Sequence, residues 1–334
     1  MGERMNIAVV GLADGPEAEA GASVLACLDP KRYRRLGVMC DPNESGAMRP
    51  GVLDRSLLLP ALDENAFERA LGHAIESEDL RAVLPGSARA AVALAEAREG
   101  LAATGVGLAP LERSALKACS ADELVRTARR GGVATASSAV LPQTPTLASF
   151  AEIVRWPVLM IGARGGLRRA GDAWEALRAQ TALAEEGDAV RLCTFDTEAV
   201  WEVSLVITGS GAAVCGAAVR VLASDDRQRP WMVVTVDDRN LLRSAARLAR
   251  GAGLAGPVHF LYTREAGVAS LVDVRAGFPL WVEVSLAGGP NPVECALSGA
   301  LGESLATRPD FPCTPPGVLF SQTAEDHVVQ TNAD

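Results

Sequence analysis

The stretch SLVDVRAGFPLW, residues 270–281, sets Asp273 and Arg275 two positions apart in an otherwise apolar run. Residues two apart on a strand point to the same face, so these two side chains should meet. A carboxylate so placed could hold a divalent cation, and beside a guanidinium it could equally form a self-neutralising pair. Other residue types with chemical potential are sparse. His73 falls within a helical spacing, His259 alternates with apolar neighbours in GPVHFLY, and His327 sits in the tail without a partner. His259 therefore reads as a strand residue facing a cleft or a core pocket, and Gly209-Ser210-Gly211 as a hairpin turn instead of a nucleophile site. The chain contains no G-x-S-x-G, no H-E-x-x-H and no Gly-Lys pair, which removes the signatures of nucleophile-elbow hydrolases, zinc proteases and P-loop proteins.

The elements that must position these residues belong to a globular chain. Its 334 residues are 49% hydrophobic and 22% charged, too apolar for a disordered chain and long enough for two or three lobes. No apolar run reaches the ~18 residues of a membrane span, and the first residues lack an extended signal core, so the sequence predicts a soluble, cytoplasmic protein without membrane association. The seven cysteines, Cys27, Cys40, Cys119, Cys193, Cys215, Cys295 and Cys313, are odd in number and never form C-x-x-C; they read as reduced, mostly buried thiols. The net charge of −9 is carried without basic clusters, which argues against a nucleic-acid partner. Lys31 and Lys117 are the two lysines, and the other thirty basic residues are arginine, which limits any mechanism that needs lysine.

Alternation of strands and helices predicts a parallel α/β sheet over roughly the first 110 residues. Strand IAVVGL (7–12) runs through Gly11 to Gly15 into a helix opened by Pro16; RLGVMCDP (35–42) and LRAVLPGS (80–87) are further strands, and 66–78 and 88–99 are helices. The lobe lacks G-x-G-x-x-G, so a nicotinamide site is not signalled. Downstream, ADELVRTARR ends as a helix at Gly131-Gly132, WPVLMI (156–161) is a strand before the loop GARGG (162–166), and 172–186 is a helix. VWEVSLVI and AAVCGAAVRVLAS form an antiparallel hairpin across Thr208–Gly211. Leu241, Ala245 and Leu248 form one stripe of a helix ended by Gly251 with Gly253, and GPVHFLYTRE pairs with VASLVDVRAGF across Ala266-Gly267. The segment beyond Ser304 carries no element signal.

This order of elements, with the phrases RRGGVATASSAV, WPVLMIGARGG, LAGPVHFLYTREAGVASLVDVRAGFP and GGPNPVECALSGALGE, resembles the ATP-grasp superfamily, which includes biotin carboxylase, the carbamoyl phosphate synthase large chain and carboxylate-amine ligases. The resemblance covers most of the chain. It implies an α/β fold with a Rossmann-like pre-ATP-grasp domain (1–112), an ATP-grasp N-terminal subdomain (113–187), a C-terminal subdomain (188–304) with a mainly antiparallel sheet, and a tail (305–334). Such enzymes phosphorylate a carboxylate with Mg-ATP and let an amine attack the acylphosphate, chemistry that needs cations around the phosphates and acidic residues around the metal.

At the charged positions the chain departs from that pattern. The family lysine before the glycine loop corresponds to Ile161, and the second lysine to Ala121, with Lys117 one helical turn earlier. The adenine and ribose pair falls near Cys193 and Thr194. The metal ligands fall on Asp273, Arg275 and Leu261, leaving Asp273 as the one retained carboxylate, so no metal is expected. At ~4 Å and an effective dielectric of ~20, Arg275 would repel a divalent cation by roughly 8 kcal/mol. The resemblance thus implies a degenerate ATP-grasp protein acting as a binding, scaffold or regulatory subunit, with no assured cofactor. Its partners would be a second copy or another protein, with a small molecule in the inter-lobe cleft. The alternative is a divergent carboxylate-amine ligase using ATP and Mg²⁺, with Arg164, Arg168, Arg169 and Arg275 supplying charge. Candidate catalytic residues are Arg275 and Asp273; nucleotide-site equivalents are Arg164, Gly165, Gly166, Lys117 and Asn291. Glu283 is a further pocket candidate. Asn291 reads equally as a turn residue, and Arg164, Arg168 and Arg169 as a solvated loop.

Overall fold

The computed structural model describes residues 4–12, 20–42, 44, 46, 49–111, 113–118, 120, 123–141, 150, 156–162, 166–186, 190–194, 200–225, 228–265, 267–308 and 310–322. Among them the chain builds three sheets. The first is wholly parallel, in the order β3-β2-β1-β4-β5, from β1 (Met5–Val10), β2 (Tyr33–Met39), β3 (Arg55–Leu58), β4 (Leu80–Pro85) and β5 (Gly107–Leu108). Its central strands are apolar on both faces, as a sheet covered on both sides requires. Ile7 and Val9 pack with α1 (Gly21–Ala26), while Ala8 and Val10 pack with α2 (Phe67–Ser77) and α3 (Ala88–Leu101). The described helix after β1 starts at Gly21; Pro16, where the sequence suggests an opening, lies outside the described residues.

Strand order reverses beside β1, and there the crevice is closed by the chain itself. Gly86 donates its N–H to Val10 O at 2.7 Å, and a Cβ on Gly86 would lie 2.2 Å from Gly11 O. The buried Glu44 carboxylate accepts from the N–H groups of Leu12 (2.6 Å), Cys40 (2.8 Å) and Asp41 (3.1 Å).

Helices α4 (Arg113–Ala118) and α5 (Leu124–Arg130) lead to a four-stranded antiparallel sheet ordered β6-β9-β7-β8: β6 (Ser138–Val140), β7 (Val158–Gly162), β8 (Leu167–Ala170) and β9 (Val190–Thr194). Period-two alternation sends Val158 and Met160 toward α6 (Ala173–Glu186), and Leu159 and Ile161 to the opposite face. Arg168 and Arg169 stand on β8, paired with β7, and not in a loop. Sequence periodicity did not mark so short a strand.

The third sheet has six antiparallel strands ordered β14-β13-β10-β11-β12-β15: β10 (Val200–Ile207), β11 (Ala213–Ser224), β12 (Pro230–Val236), β13 (Gly256–Glu265), β14 (Val268–Ala276) and β15 (Leu319–Ser321). The β10–β11 and β13–β14 hairpins form as the sequence suggests. Helix α7 (Arg239–Ala252) is capped by Asp238, which accepts from Leu241 N at 2.9 Å, and it buries Leu241, Ala245 and Leu248. Gly253, at φ +69°, ends it, whereas Gly251 lies inside it. The segment beyond Ser304 contributes β15, which pairs with β12, and α8 (Pro292–Ala300) packs on the first sheet's core. Cys27, Cys193 and Cys215 are buried and Cys40, Cys295 and Cys313 half-buried, all as free thiols; Cys119 lies outside the described residues.

Candidate functional site

Antiparallel pairing sets Asp273 opposite Leu261 and Arg275 opposite His259. Asp273 and Arg275 share a face, and Arg275 Nε donates to Asp273 Oδ2 at 2.8 Å. The two side chains therefore form a self-neutralising pair. A third residue joins them. Arg191, from β9 of the small sheet, donates through Nη2 to Val272 O at 2.6 Å and reaches Asp273 Oδ1 at 3.4 Å, while its Nη1 contacts Cys193 Sγ at 2.9 Å. Both side chains of this second pair are nearly closed to solvent, at 3% for Arg191 and 8% for Asp273. One carboxylate thus serves two guanidinium groups. The sequence signal for Arg191 is a lone charge in the apolar run VRLC, on the same strand face as Cys193, but nothing in that run names its partner.

The positions that the resemblance assigns to phosphate, ribose and metal contacts come together differently. Ile161, Cys193 and Leu261 are all members of one buried apolar cluster between the small and the large sheet, completed by Leu159, Val272 and Val200. Burial pushes the Cys193 thiol up to about 11, which keeps it neutral and unreactive. Thr194 bonds Ser137 through its backbone N–H at 2.9 Å. Ala121 lies outside the described residues.

On the same face of the large sheet, Glu202 is buried. Its Oε2 pairs with His259 Nε2 at 3.0 Å and accepts from Trp281 Nε1; His259 also meets Trp281 edge-on, with ring centroids 6.2 Å apart. Burial alone would raise the Glu202 carboxyl, but His259, the indole N–H and the Arg275 charge outweigh it and hold the group below the usual carboxylate range. His259 thus faces a core pocket, the second of the two placements expected for it, and its carboxylate partner Glu202 carries no signal in the sequence.

A cleft of about 360 Å³ opens between the first sheet's helix layer and β14. Asp273, Arg275 and Arg191 line one side, Ala88, Arg89 and Val92 of α3 the other, and Ile161 and Gly162 close one end. The remaining candidates lie elsewhere. Lys117 is exposed on α4. Arg164 and Gly165 are outside the described residues, and Gly166 accepts from Gly162 N at 2.9 Å, closing the β7–β8 hairpin. Arg168 donates to Leu167 O at 2.8 Å and Arg169 is exposed. Asn291 caps α8, accepting from Val293 N at 3.0 Å and Glu294 N at 3.4 Å, and donates to Cys27 O at 2.6 Å. Glu283 forms a two-pronged ion pair with Arg49 at 2.6 and 3.0 Å, apart from Asp273 and Arg275. His73 is exposed on α2, and His327 is outside the described residues. Thr208 and Ser210 hydrogen-bond each other at 2.8 Å in the hairpin turn. Among the described residues, no three His, Cys, Asp or Glu side chains group so that they could hold a metal ion, and no helix is long and apolar enough to cross a membrane.

A parallel sheet followed by two antiparallel sheets, with a cleft between the first sheet's helices and β14, is a fold the chain shares with solved ATP-grasp proteins. Among solved structures, the chain is similar to an L-amino acid ligase from Bacillus licheniformis (TM-score 0.66, 13% identity, covering 90% of this chain and 75% of that one). It is also similar to the biotin carboxylase domain dimer of 2-oxoglutarate carboxylase from Hydrogenobacter thermophilus, solved with MgADP, ADP and bicarbonate (TM-score 0.67, 12% identity, covering 91% and 71%). A third is N5-carboxyaminoimidazole synthetase from Staphylococcus aureus (TM-score 0.63, 10% identity, covering 91% and 79%). No protein-family model matches the sequence, and no curated protein is significantly similar to it.

Proposed function

We propose that this chain is an ATP-grasp-fold binding, scaffold or regulatory subunit that does not carry out Mg-ATP-dependent ligation. The observation that carries the reading is the apolar cluster of Ile161, Cys193 and Leu261: three positions that would meet phosphate, ribose and metal instead pack on one another. A polyphosphate put there would lose its hydration against apolar side chains, without compensating donors among the described residues of that cluster. Asp273, the remaining carboxylate, is engaged by Arg191 and Arg275, so the residues present do not fit a bound Mg-ATP, and no phosphoryl-transfer step is derived. The reading divides the chain at residues 112, 187 and 304, and places it in a soluble complex with a second copy or another protein. Isothermal titration with Mg-ATP tests it directly: no heat of binding is expected. A micromolar Kd abolished by Asp273→Ala overturns it.

The second reading, a divergent ligase, draws support from the two guanidinium groups, Arg191 and Arg275, that meet at Asp273. It requires phosphate release from ATP when a carboxylate and an amine are both supplied, and silence across a wide substrate panel removes it.

A further inference from the structure

Cys215 and Cys295 stand far apart in sequence and together in the fold. Cys215 lies on β11 and is buried; Cys295 lies on α8 and is half-buried. Both belong to the core where α8 packs on β11, among Val206, Val293, Ala296 and Leu297. Their thiols meet in a hydrogen bond, Cys215 donating and Cys295 accepting. That bond holds the Cys295 thiol below its ordinary value and, together with burial, pushes the Cys215 thiol well above it. Cys295 also ends the first turn of α8, its N–H bonded to Asn291 O at 3.0 Å, where the helix dipole favours a thiolate. The neighbouring Glu294 opposes that charge, but its carboxylate is occupied by the Tyr33 hydroxyl at 2.8 Å and Arg32 at 3.4 Å. A third thiol stands nearby: Gly216 pairs with the backbone of Pro312 and Thr314, which sets Cys313 beside β11. Cys313 packs instead with the α7 core, and its sulfur donates to Phe311 O at 3.5 Å and accepts from Arg239 Nη1 at 3.4 Å.

We propose that Cys215 and Cys295 are a reversible redox pair that closes into a disulfide when the folded chain meets hydrogen peroxide. The thiolate is the reacting form of cysteine, and access decides which sulfur meets the oxidant first; the half-buried Cys295 is that sulfur. It attacks one peroxide oxygen, the O–O bond breaks, and Cys295 becomes a sulfenic acid while the departing hydroxide recovers the Cys295 proton as water. Cys215, already in contact, attacks the sulfenic sulfur. The S–S bond forms, the S–O bond breaks, and the leaving hydroxide takes the Cys215 proton as a second water. The two thiols lose two electrons and the peroxide gains them; a dithiol reductant reverses the step by exchange. The bond ties α8, and through it the core of the first sheet, to the large sheet across the whole of β12, β13 and β14. Neither cysteine lines the cleft between α3 and β14, so the pair is independent of what that cleft binds and of the subunit reading.

The test treats the folded full chain with an equivalent of hydrogen peroxide, blocks the remaining thiols with iodoacetamide, and maps the peptides by mass spectrometry without reduction. A single linked pair of peptides carrying Cys215 and Cys295 is expected, and dithiothreitol should return both free thiols. Cys40, also half-buried, is the internal control: Cys295 is expected to react about tenfold or more faster. Cys295→Ser should abolish the link, and Cys313→Ser should leave it intact. In Cys215→Ala the sulfenic acid on Cys295 has no thiol to meet and should be trapped by dimedone. If that core variant does not fold, the peptide map, the rate against Cys40 and the two serine variants decide the matter. A link that joins other cysteines, a Cys215 link that survives Cys295→Ser, a link lost in Cys313→Ser, oxidation of Cys295 in the unaltered chain without a link, or reaction no faster than at Cys40 overturns the proposal.

Discussion

Arg191 and Asp273 stand on different sheets, 82 residues apart in sequence, and their 3.4 Å ion pair ties β9 of the small sheet to β14 of the large one. Around it the two sheets press apolar side chains together, so the pair works as a polar rivet in a dry interface. The buried charges have further partners beside each other: Arg191 also bonds Val272 O, and Asp273 also bonds Arg275.

Removing the two partners should therefore have unequal effects. Asp273→Ala leaves Arg191 buried beside an unanswered Arg275, and a loss of about 3–5 kcal/mol is expected. Arg191→Met leaves Asp273 paired with Arg275 and puts an apolar chain among apolar neighbours, so its loss should be less than half as large. Urea unfolding of the two variants measures the difference; equal losses would contradict the account of one carboxylate shared by two cations.

Ile161→Lys restores the residue type that the fold's resemblance would place on this strand. In the buried cluster of this chain the ammonium would stand among apolar side chains, with the nearest carboxylate, Asp273, already engaged by two arginines, and burial depresses a lysine by several pKa units. A destabilisation of roughly 4 kcal/mol or more is expected at pH 7. Because the folded lysine has the lower pKa, the unfolded chain binds the extra proton, so the loss should shrink as pH rises toward ~10. A variant that folds normally and gains Mg-ATP affinity would show that the space between the sheets is open.

Glu202 has a folded pKa below its ordinary value of 4.5. The stability it contributes is therefore complete above that value and is lost as pH falls through the lower folded pKa. Glu202→Gln removes an ionised acceptor from Trp281 and His259, and should cost about 1.5–3 kcal/mol at pH 7. Unfolding midpoints at pH 7 and pH 3.5 check the sign: the gap between wild type and variant should narrow in acid.

The parts of the fold that the sequence makes legible are those whose signal is local. Period-two alternation placed Asp273 and Arg275 on one face, and the turn residues Thr208–Gly211 and Ala266-Gly267 announced their hairpins. Leu241, Ala245 and Leu248 declared a buried stripe. What stayed hidden depends on distant partners. Arg191 becomes a site residue only when two sheets meet, Glu202 only when Trp281 folds back over it, and β15 is three residues that are a strand only because β12 offers an edge. Asn291 carries a turn signal in its sequence, and its amide turns out to be divided between capping α8 and holding Cys27 O.

Glu44 supplies, from within the chain, the anion that the open end of a parallel sheet is built to receive. The N–H groups of Leu12, Cys40 and Asp41 are already answered by its carboxylate, so among the described residues these three donors are not open to a free anion. The first sheet, packed against α3, holds that helix as one wall of the cleft opposite β14.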